Sequence, residues 1–303
     1  MVDLNWALAR KQELLAERAR IIQAIRAFFV ESGFLEVETP HRISANAPEP
    51  HIDAVACGEQ WLQTSPELAM KRLLAAGYGD IFQICRVWRE HERGARHLPE
   101  FTMLEWYRPH ADYLKLMDDC EQLLLRLVPA QKIIWQQQEI DLAPPWPRLT
   151  VDEAFKRYAA CSATEALQEN RFEEILTADV EPALAPQPLF LIDYPAPLAA
   201  LARTKPGNPQ VAERCELYIG GLELANGFSE LTDPGEQRSR FEKDEAERRR
   251  TGKTPNPLPE KFLEELYNMP QSAGIALGID RLVMLITDSS DINDVVAFPD
   301  ESL

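Results

Sequence analysis

The feature that most constrains the fold is a pair of predicted strands separated by two glycines. The strands cover residues 213–219 and 222–231, and Gly220-Gly221 stands between them. Paired glycines are a strong signal for a two-residue hairpin, because the favoured turn needs positive φ at its central positions. The chain is therefore predicted to contain an antiparallel sheet that includes this hairpin.

The rest of the chain alternates predicted helices and strands. A long helix is predicted over 6–32, because apolar residues recur there at helical spacing and Gly33 can end it. This apolar stripe consists of Ile21, Ile22, Ile25, Phe28 and Phe29. Further strands are predicted at 34–40, 82–89, 101–107, 189–194 and 272–279, and further helices at 64–76, 112–128, 151–159, 164–176, 235–250 and 280–287. An antiparallel sheet flanked by helices is an α+β fold, expected here as a single domain over 1–303.

Composition excludes several classes of protein. The chain has 32 Lys+Arg and 49 Asp+Glu, and its net charge of −17 argues against a broad basic surface for nucleic acid. Its five cysteines are far apart and form no C-x-x-C pair, so reduced thiols are expected rather than a zinc ribbon. Because the chain lacks both a signal-peptide core and an apolar run of about 18 residues, a cytoplasmic protein without a membrane span is predicted.

The predicted hairpin places two carboxylates on one face. With Gly220-Gly221 as the turn, Tyr218 lies opposite Glu223, and Glu216 is a diagonal neighbour of Glu223, roughly 7–8 Å away. Converging carboxylates repel unless a cation lies between them, and Mg²⁺ bridging to phosphate oxygens would fit. The alternative is an acidic face exposed to solvent.

Asn226, Phe228 and Glu230 have the opposite parity from Glu223 in the same predicted strand. Gly227 lies among them, and a glycine inside a strand often marks a bulge. A bulge at Gly227 would bring these side chains into one pocket. In a regular strand, half of them would face away.

Arginine is concentrated in residues 86–96, although the chain has few positive charges. Guanidinium groups bind phosphate bidentately, so the segment is a candidate anion site. The alternative is ion pairing with the glutamates of the same segment. The four arginines are Arg86, Arg89, Arg93 and Arg96.

Two further segments have both a functional and a structural explanation. Gly274 and Gly278 lie in a strand that enters a helix with Arg281 in its first turn, and a helix N-terminus favours anions. Glycines at a strand–helix junction are also common. Thr64 and Glu67 could bind a ligand or simply form a capping box.

In their order along the chain, these segments resemble the three signature motifs of class II aminoacyl-tRNA synthetases. Motif 1 corresponds to the long helix with 34–40, motif 2 to 82–107 and motif 3 to 274–285. The segments 64–67 (TSPE), 99–103 (PEFTM) and 225–228 (ANGF) are of the lysyl type. The resemblance implies the class II catalytic core, with ATP and Mg²⁺ used to form an aminoacyl adenylate.

Within the lysyl type, the chain is similar to the stand-alone elongation factor P–(R)-β-lysine ligases. A lysyl-tRNA synthetase has an anticodon-binding domain before motif 1, for which this sequence leaves no room. Lysyl-tRNA synthetases also usually have glycine where Ala276 stands, whereas these ligases have alanine. The resemblance implies transfer of (R)-β-lysine to a lysine of elongation factor P, a homodimer formed through motif 1, and no tRNA partner.

The resemblance also implies roles for individual residues. Catalysis would depend on Arg89 and Arg281. The ATP site would consist of Arg89, Glu90, His91, His97, Leu98, Phe101, Glu223, Leu224, Gly278 and Arg281. The amino-acid site would consist of Ser65, Pro66, Glu67, Glu105, Tyr107, Asn226, Phe228, Glu230 and Ala276. The Mg²⁺ ligands would be Glu216 and Glu223.

Two residues depart from the family pattern, and two other functions stay open. His91 replaces a usual glutamate and Leu98 a usual asparagine, which predicts weaker ATP binding. One alternative is a truncated lysyl-tRNA synthetase-like ligase that charges an RNA or another acceptor, which the net charge disfavours. The other is a non-catalytic paralogue with a regulatory role, which the retained arginines and carboxylates disfavour.

Overall fold

The computed structural model of the protein describes residues 6–184 and 186–299. Its α-helices are α1 (Trp6–Glu31), α2 (Glu67–Ala75), α3 (Tyr113–Leu127), α4 (Val151–Tyr158), α5 (Ala163–Gln168), α6 (Phe172–Ile175), α7 (Pro234–Arg250), α8 (Glu260–Glu265) and α9 (Ile279–Ile286).

The strands form one large sheet and two small ones. They are β1 (Leu35–Glu36), β2 (Arg42–Ile43), β3 (Ala56–Cys57), β4 (Gln60–Leu62), β5 (Ile81–Trp88), β6 (Glu100–Pro109), β7 (Lys132–Trp135), β8 (Gln138–Asp141), β9 (Arg148–Thr150), β10 (Leu189–Pro195), β11 (Thr204–Lys205), β12 (Asn208–Ile219), β13 (Leu222–Ser229) and β14 (Ser272–Gly278).

The large sheet has the order β1-β5-β6-β14-β13-β12-β10-β9, and β11 pairs with β12. Its central pairs are antiparallel, and only the pairs β1–β5 and β9–β10 among the described strands are parallel. The predicted α+β architecture, an antiparallel sheet flanked by helices, is confirmed.

The main core lies between one face of this sheet and helices α1, α3 and α9. Ile21, Ile25 and Phe29 of the predicted apolar stripe are buried there against sheet residues such as Phe82 and Trp106. These stripe residues therefore pack within their own chain.

Near the start of the chain, one predicted strand is shorter than expected, and one of the two alternatives for Thr64 and Glu67 is excluded. Only Leu35–Glu36 of the predicted strand 34–40 is a strand, because Phe34 turns into the core and the pairing with β5 is short. The capping box at Thr64 is absent, since α2 begins after Pro66. Instead, the Ser65 hydroxyl accepts a hydrogen bond from the Glu67 N–H at 3.0 Å.

In the region 129–188, one hairpin was not predicted, and two short helices were predicted as one. The hairpin of β7 and β8 was not predicted, because each strand has only four residues and the turn residues, Gln136 and Gln137, give no glycine signal. The helix predicted at 164–176 is divided into α5 and α6, and Asn170 lies between them with φ of 53°.

The composition of the highly charged helix α7 predicts a solvent-exposed helix, but four of its side chains are buried. Its Gln237, Phe241, Glu245 and Arg248 are buried. The Arg248 guanidinium donates to the backbone carbonyls of Glu49 and Ile52, each at 2.7 Å. Helix α7 therefore fixes the loop that follows β2.

The expectations about cysteines and membrane spans are consistent with the structure. All five cysteines carry free thiols. Among the residues described, no helix combines the length and the apolar character needed to cross a membrane.

Candidate functional site

A cavity of about 380 Å³ opens on the face of the sheet opposite the main core. Its floor follows from strand register, because register partners lie side by side on one face. One row crosses five strands and consists of Glu216, Asn226, Ala276, Glu105 and Gln83. The neighbouring row consists of Arg214, Phe228, Gly274 and Tyr107. The two rows gather residues from distant parts of the chain onto one surface.

The predicted bulge is present, but it lies at Leu224 rather than at Gly227. Tyr218 pairs with Glu223 and Leu217 with Ala225, which leaves Leu224 as an extra residue in β13. This single extra residue reverses the parity of everything after it. Glu223 therefore shares a face with Asn226 and Phe228, and all three line the cavity.

Gly227 has a different role, since it allows close packing. A Cβ atom at this position would lie 2.6 Å from the Cβ of Ile275 on β14. Gly274 is similarly restricted, because its Cβ would lie 2.2 Å from the Tyr107 ring and 2.6 Å from Glu230 Oε1. The strands can approach each other here only because both residues are glycine.

Fully buried charges surround the Gly274 end of the cavity. Lys71 Nζ lies 2.5 Å from Glu67 Oε1 and 2.5 Å from Glu230 Oε2, and the side chains of Lys71 and Glu230 are 0% exposed. Neither carboxylate oxygen of Glu230 accepts a well-formed hydrogen bond from the described part of the chain. Burial raises the pKa of Glu230 to about 8. A buried carboxylate whose oxygens lack well-formed hydrogen bonds is suited to binding a cationic ligand.

Glu105 lies in the middle of the floor and is almost completely buried. The Ser65 hydroxyl donates to its Oε1 at 2.5 Å, and the Tyr107 hydroxyl donates to its Oε2 at 2.9 Å. Burial, and then the negative charge of Glu67, raises the pKa of Glu105 to about 8. A cation bound nearby would favour its ionised form.

Arg89 projects into the cavity from the end of β5. Its Nε donates to the Thr64 carbonyl at 3.4 Å, and its guanidinium lies 5.2 Å from the centroid of the Phe101 ring. The nearest glutamate of its own segment, Glu92, is 3.8 Å away, which is a weak ion pair. The guanidinium therefore keeps much of its capacity to bind an anion.

Arg281 occupies the opposite end of the cavity from Gly274. It donates to the carbonyl of Glu223 at 2.8 Å and approaches His97 Nε2 to 2.5 Å. Burial and the charge of Arg281 lower the pKa of His97. A neutral imidazole accepts from this guanidinium without adding a second positive charge, and the Glu223 carboxylate lies 3.6 Å from the same guanidinium.

Glu216 and Glu223 share a face, as predicted, but their surroundings differ. Glu216 accepts hydrogen bonds from Arg214 at 2.6 Å, from Tyr218 at 2.8 Å and from Tyr194. Burial and the charge of Glu216 raise the pKa of Glu223 to about 7.

No group of three or more metal-binding side chains occurs among the described residues. The carboxylate pair can therefore fit a Mg²⁺ ion only if phosphate and water supply most of its ligands. Mg²⁺ commonly binds in this way.

Most of the predicted site residues line this cavity. Those that do are Ser65, Glu67, Arg89, His97, Leu98, Phe101, Glu105, Tyr107, Glu223, Leu224, Asn226, Phe228, Ala276, Gly278 and Arg281.

Five predicted residues do not line it. Glu90 and His91 are exposed in the loop, Pro66 is the N-cap residue of α2, and Glu216 and Glu230 are buried and do not reach the cavity surface. Contacts of the Glu90 and His91 side chains with this cavity are not supported by the structure.

Sequence reasoning missed Lys71, Arg214 and Glu49, among other residues of the site. Lys71 could have been found, because it follows Glu67 by four residues on one helix and thus shares its face. Arg214 donates hydrogen bonds to Asn226 and to Glu216. It could also have been found, because it lies two residues before Glu216 in a predicted strand and therefore shares its face. Glu49 lines the cavity from a proline-rich loop, where no periodic pattern marks it.

The chain is similar to known proteins over nearly its full length. Residues 3–302 match the family of tRNA synthetases class II (D, K and N). The elongation factor P–(R)-β-lysine ligase of Erwinia tasmaniensis is 41% identical over 97% of each chain, and that of Mannheimia succiniciproducens is 42% identical over 97% of each. The ligase of the same name from Haemophilus influenzae strain Rd is 42% identical over 98% of each chain.

The fold and the site define a class II aminoacyl-tRNA synthetase catalytic domain. The chain belongs to the class II tRNA synthetases of the D, K and N group and, within that group, to the elongation factor P–(R)-β-lysine ligases. The family resemblance drawn from the sequence motifs is confirmed.

Proposed function

We propose that the protein uses ATP to activate (R)-β-lysine as its adenylate and transfers it to a lysine ε-amine of elongation factor P. The observation that carries the proposal is the separation of charge along β14. Buried carboxylates surround Gly274, whereas Arg281 lies just beyond Gly278. Four strand residues span about 13 Å, a distance suited to a diamino acid with its carboxylate directed toward nucleotide phosphates.

The first step is attack of a substrate carboxylate oxygen on the α-phosphorus of ATP. A bond from oxygen to phosphorus forms, and the bond to the pyrophosphate leaving group breaks. Arg89 aligns the two anions, and Arg281 stabilises the charge on the leaving phosphates. The side chain of Phe101, which lies beside Arg89, offers a stacking surface for adenine.

Glu216 and Glu223 would hold Mg²⁺, which supplies charge neutralisation to the phosphates when bound. Arg214 and the two tyrosines fix the orientation of Glu216. Repulsion from Glu216 is relieved when a cation lies beside Glu223.

The amino-acid end recognises ammonium groups. Glu67 receives the amino group nearer the carboxylate, and Glu230 receives the distal one. Asn226 accepts from Arg214 at 3.1 Å, which directs its amide N–H donors away from that guanidinium. Ser65 and Tyr107 hold Glu105 between the two subsites.

In the second step, the acceptor amine attacks the carbonyl carbon of the adenylate. The C–N bond forms, the bond to the AMP oxygen breaks, and the amine releases a proton. The acceptor reaches this carbon from the open side of the cavity. Because elongation factor P is a translation factor, we expect the reaction to take place in the cytoplasm.

The test is ATP–pyrophosphate exchange with (R)-β-lysine and with L-α-lysine, followed by transfer to elongation factor P or to tRNA. We expect faster exchange with (R)-β-lysine and transfer to the protein. Transfer to tRNA alone would identify an RNA-charging ligase instead. Absence of exchange with any amino acid would indicate a non-catalytic paralogue.

A homodimer and a single domain over 1–303 remain predictions from the family resemblance. A dimer formed by the motif 1 region would have to use its exposed residues, such as Val30 and Leu35, which are 58% and 52% exposed. Sedimentation velocity tests the oligomeric state.

A further inference from the structure

Lys71 carries a fully buried charge that does not line the cavity. It lies on α2, and its ammonium group contacts Glu67 Oε1 and Glu230 Oε2 at 2.5 Å each. It also lies 5.0 Å from the centroid of the Phe228 ring. These three partners are all residues of the amino-acid end of the site.

The burial of this ammonium group needs an explanation. Removing a lysine charge from water costs several kcal/mol, and a lysine that served only the fold could pair at the surface. Its neighbour Arg72 does so, with Glu265 at 2.6 Å and both side chains about 40% exposed. Lys71 instead bridges two carboxylates from separate elements, α2 and the segment after β13.

We propose that Lys71 is a positioning residue that couples the two ammonium subsites, so that the site selects an amino acid with two amino groups. This inference rests on the proposed function, because it assigns Glu67 and Glu230 to those subsites. Lys71 does not touch the substrate. It acts by holding the two carboxylates at a fixed separation and by lowering the pKa of Glu230 against the effect of burial.

The selectivity follows from the cost of an unsatisfied carboxylate. Lys71 lowers the pKa of Glu230 against the effect of burial, and Glu230 Oε1 is left without a hydrogen-bond donor from the described residues. A substrate that lacks the distal ammonium group leaves that oxygen buried and unsatisfied, and is rejected. Without Lys71, Glu230 would take up a proton, and this penalty would disappear.

A charge count gives the same result. Glu67, Glu105 and Glu230 can supply three negative charges to this end of the site. Lys71 and the two amino groups of β-lysine supply three positive charges. When all three carboxylates are ionised, a monoamine leaves the cluster one positive charge short.

The experiment compares (R)-β-lysine with (R)-3-aminohexanoate, which lacks only the distal amino group. The ratio of their kcat/KM values in pyrophosphate exchange is measured for the wild type, Lys71→Met, Lys71→Gln and Lys71→Arg. We expect the ratio to fall at least about tenfold in the two neutral variants, mainly through the KM for β-lysine. Lys71→Arg keeps the charge and should restore most of the ratio.

Arg72→Met is the matched control, because it removes a cation from the next position on the same helix. Its ratio should equal that of the wild type. An unchanged ratio in a folded neutral variant, or an equal fall in Arg72→Met, would overturn the inference while leaving the proposed function intact. If Lys71→Met does not fold, Lys71→Gln, which retains an N–H donor, decides. Absence of exchange in the wild type would refute both proposals.

Discussion

At the scale of residues, the cavity is ordered before any ligand binds. Ser65 holds Glu105, Arg214 holds Asn226, and Arg281 contacts His97. Polar groups fixed in this way lose little entropy when they meet a transition state. Substitutions here should therefore affect rate constants more than folding.

Arg89→Ala should lower kcat/KM for pyrophosphate exchange by about 10²–10³-fold, because a preorganised positive charge is lost where phosphate charge develops. Arg86→Ala is the matched control, because Arg86 lies three residues before Arg89, on β5. Arg86 is exposed and forms only a weak ion pair with Glu100, at 3.7 Å. Its effect should be less than about fivefold. Equal losses in the two variants would contradict the role of Arg89.

Ala276→Gly should move amino-acid preference from β-lysine toward α-lysine. Ala276 lies between Asn226 and Glu105 in the floor, so its methyl group limits the space beneath the substrate. One methyl group in a pocket changes selectivity by about 1–3 kcal/mol, or roughly 10–200-fold. Exchange rates with both lysines measure the change, and identical selectivity would remove Ala276 from this role.

Glu105→Gln should make stability less dependent on pH. The folded protein raises the pKa of Glu105 from 4.5 to about 8, so the unfolded chain loses this proton first as pH rises. The folded state is therefore progressively destabilised between pH 4.5 and 8, and glutamine removes that effect.

Denaturant melts at pH 5 and pH 8 measure this difference. The stability of Glu105→Gln relative to the wild type should rise by about 3 kcal/mol between these two pH values. Any loss from altered hydrogen bonds with Ser65 and Tyr107 is present at both pH values and cancels. A constant difference would show that Glu105 is ionised in the free protein.

At the scale of elements, the close approach of β13, β14 and β6 depends on two glycines. Helices α2, α7 and α8 then pack around the cavity on this side of the sheet. The apolar cluster that they form includes Tyr107 and partly buried Phe228 from the floor. The geometry of the site is therefore set jointly by sheet spacing and helix packing.

Gly274→Ala should destabilise the protein by about 1–3 kcal/mol, because its methyl group would overlap the Tyr107 ring. Gly79→Ala is the control, since a methyl group there would meet no atom within 4 Å and the φ of Gly79 is not positive. Its stability should change little or rise slightly. Thermal melts of both variants measure the difference, and similar melting temperatures would contradict the packing argument.

The sequence predicted most elements but could not place the contacts between them. The Gly220-Gly221 hairpin and the shared face of Glu216 and Glu223 followed from local rules of turns and alternation. The bulge was predicted at Gly227 because glycine is the usual local signal, whereas Leu224 carries none. The contact of Lys71 with Glu230 also escaped prediction, since Glu230 lies on another element and only tertiary packing brings it close.

At the scale of the whole molecule, charge is divided unevenly. The net charge is −17, yet arginines are concentrated at one end of the cavity. The long-range field repels polyanions, while the local charge at Arg89 and Arg281 attracts a small anion. Such a molecule can bind a nucleotide without binding a nucleic acid.

We therefore expect tRNA to bind with a Kd weaker than about 10 µM at 150 mM salt, because few phosphates can be neutralised on this surface. Fluorescence anisotropy with labelled tRNA measures this affinity, and elongation factor P serves as the comparison. Tighter tRNA binding with a steep salt dependence would favour the RNA-charging alternative.

Because Leu224 is an extra residue in β13, the β12–β13 hairpin should tolerate the loss of one residue better than the gain of one. Without Leu224, Ala225 would follow Glu223 directly, and the pairings of Glu223 with Tyr218 and of Asn226 with Glu216 could both persist in a regular ladder. One additional residue would instead turn either Glu223 or Asn226 toward the core, unless a second bulge formed. Chains of this kind can therefore be one residue shorter here and keep both ends of the cavity, but they cannot simply be one residue longer.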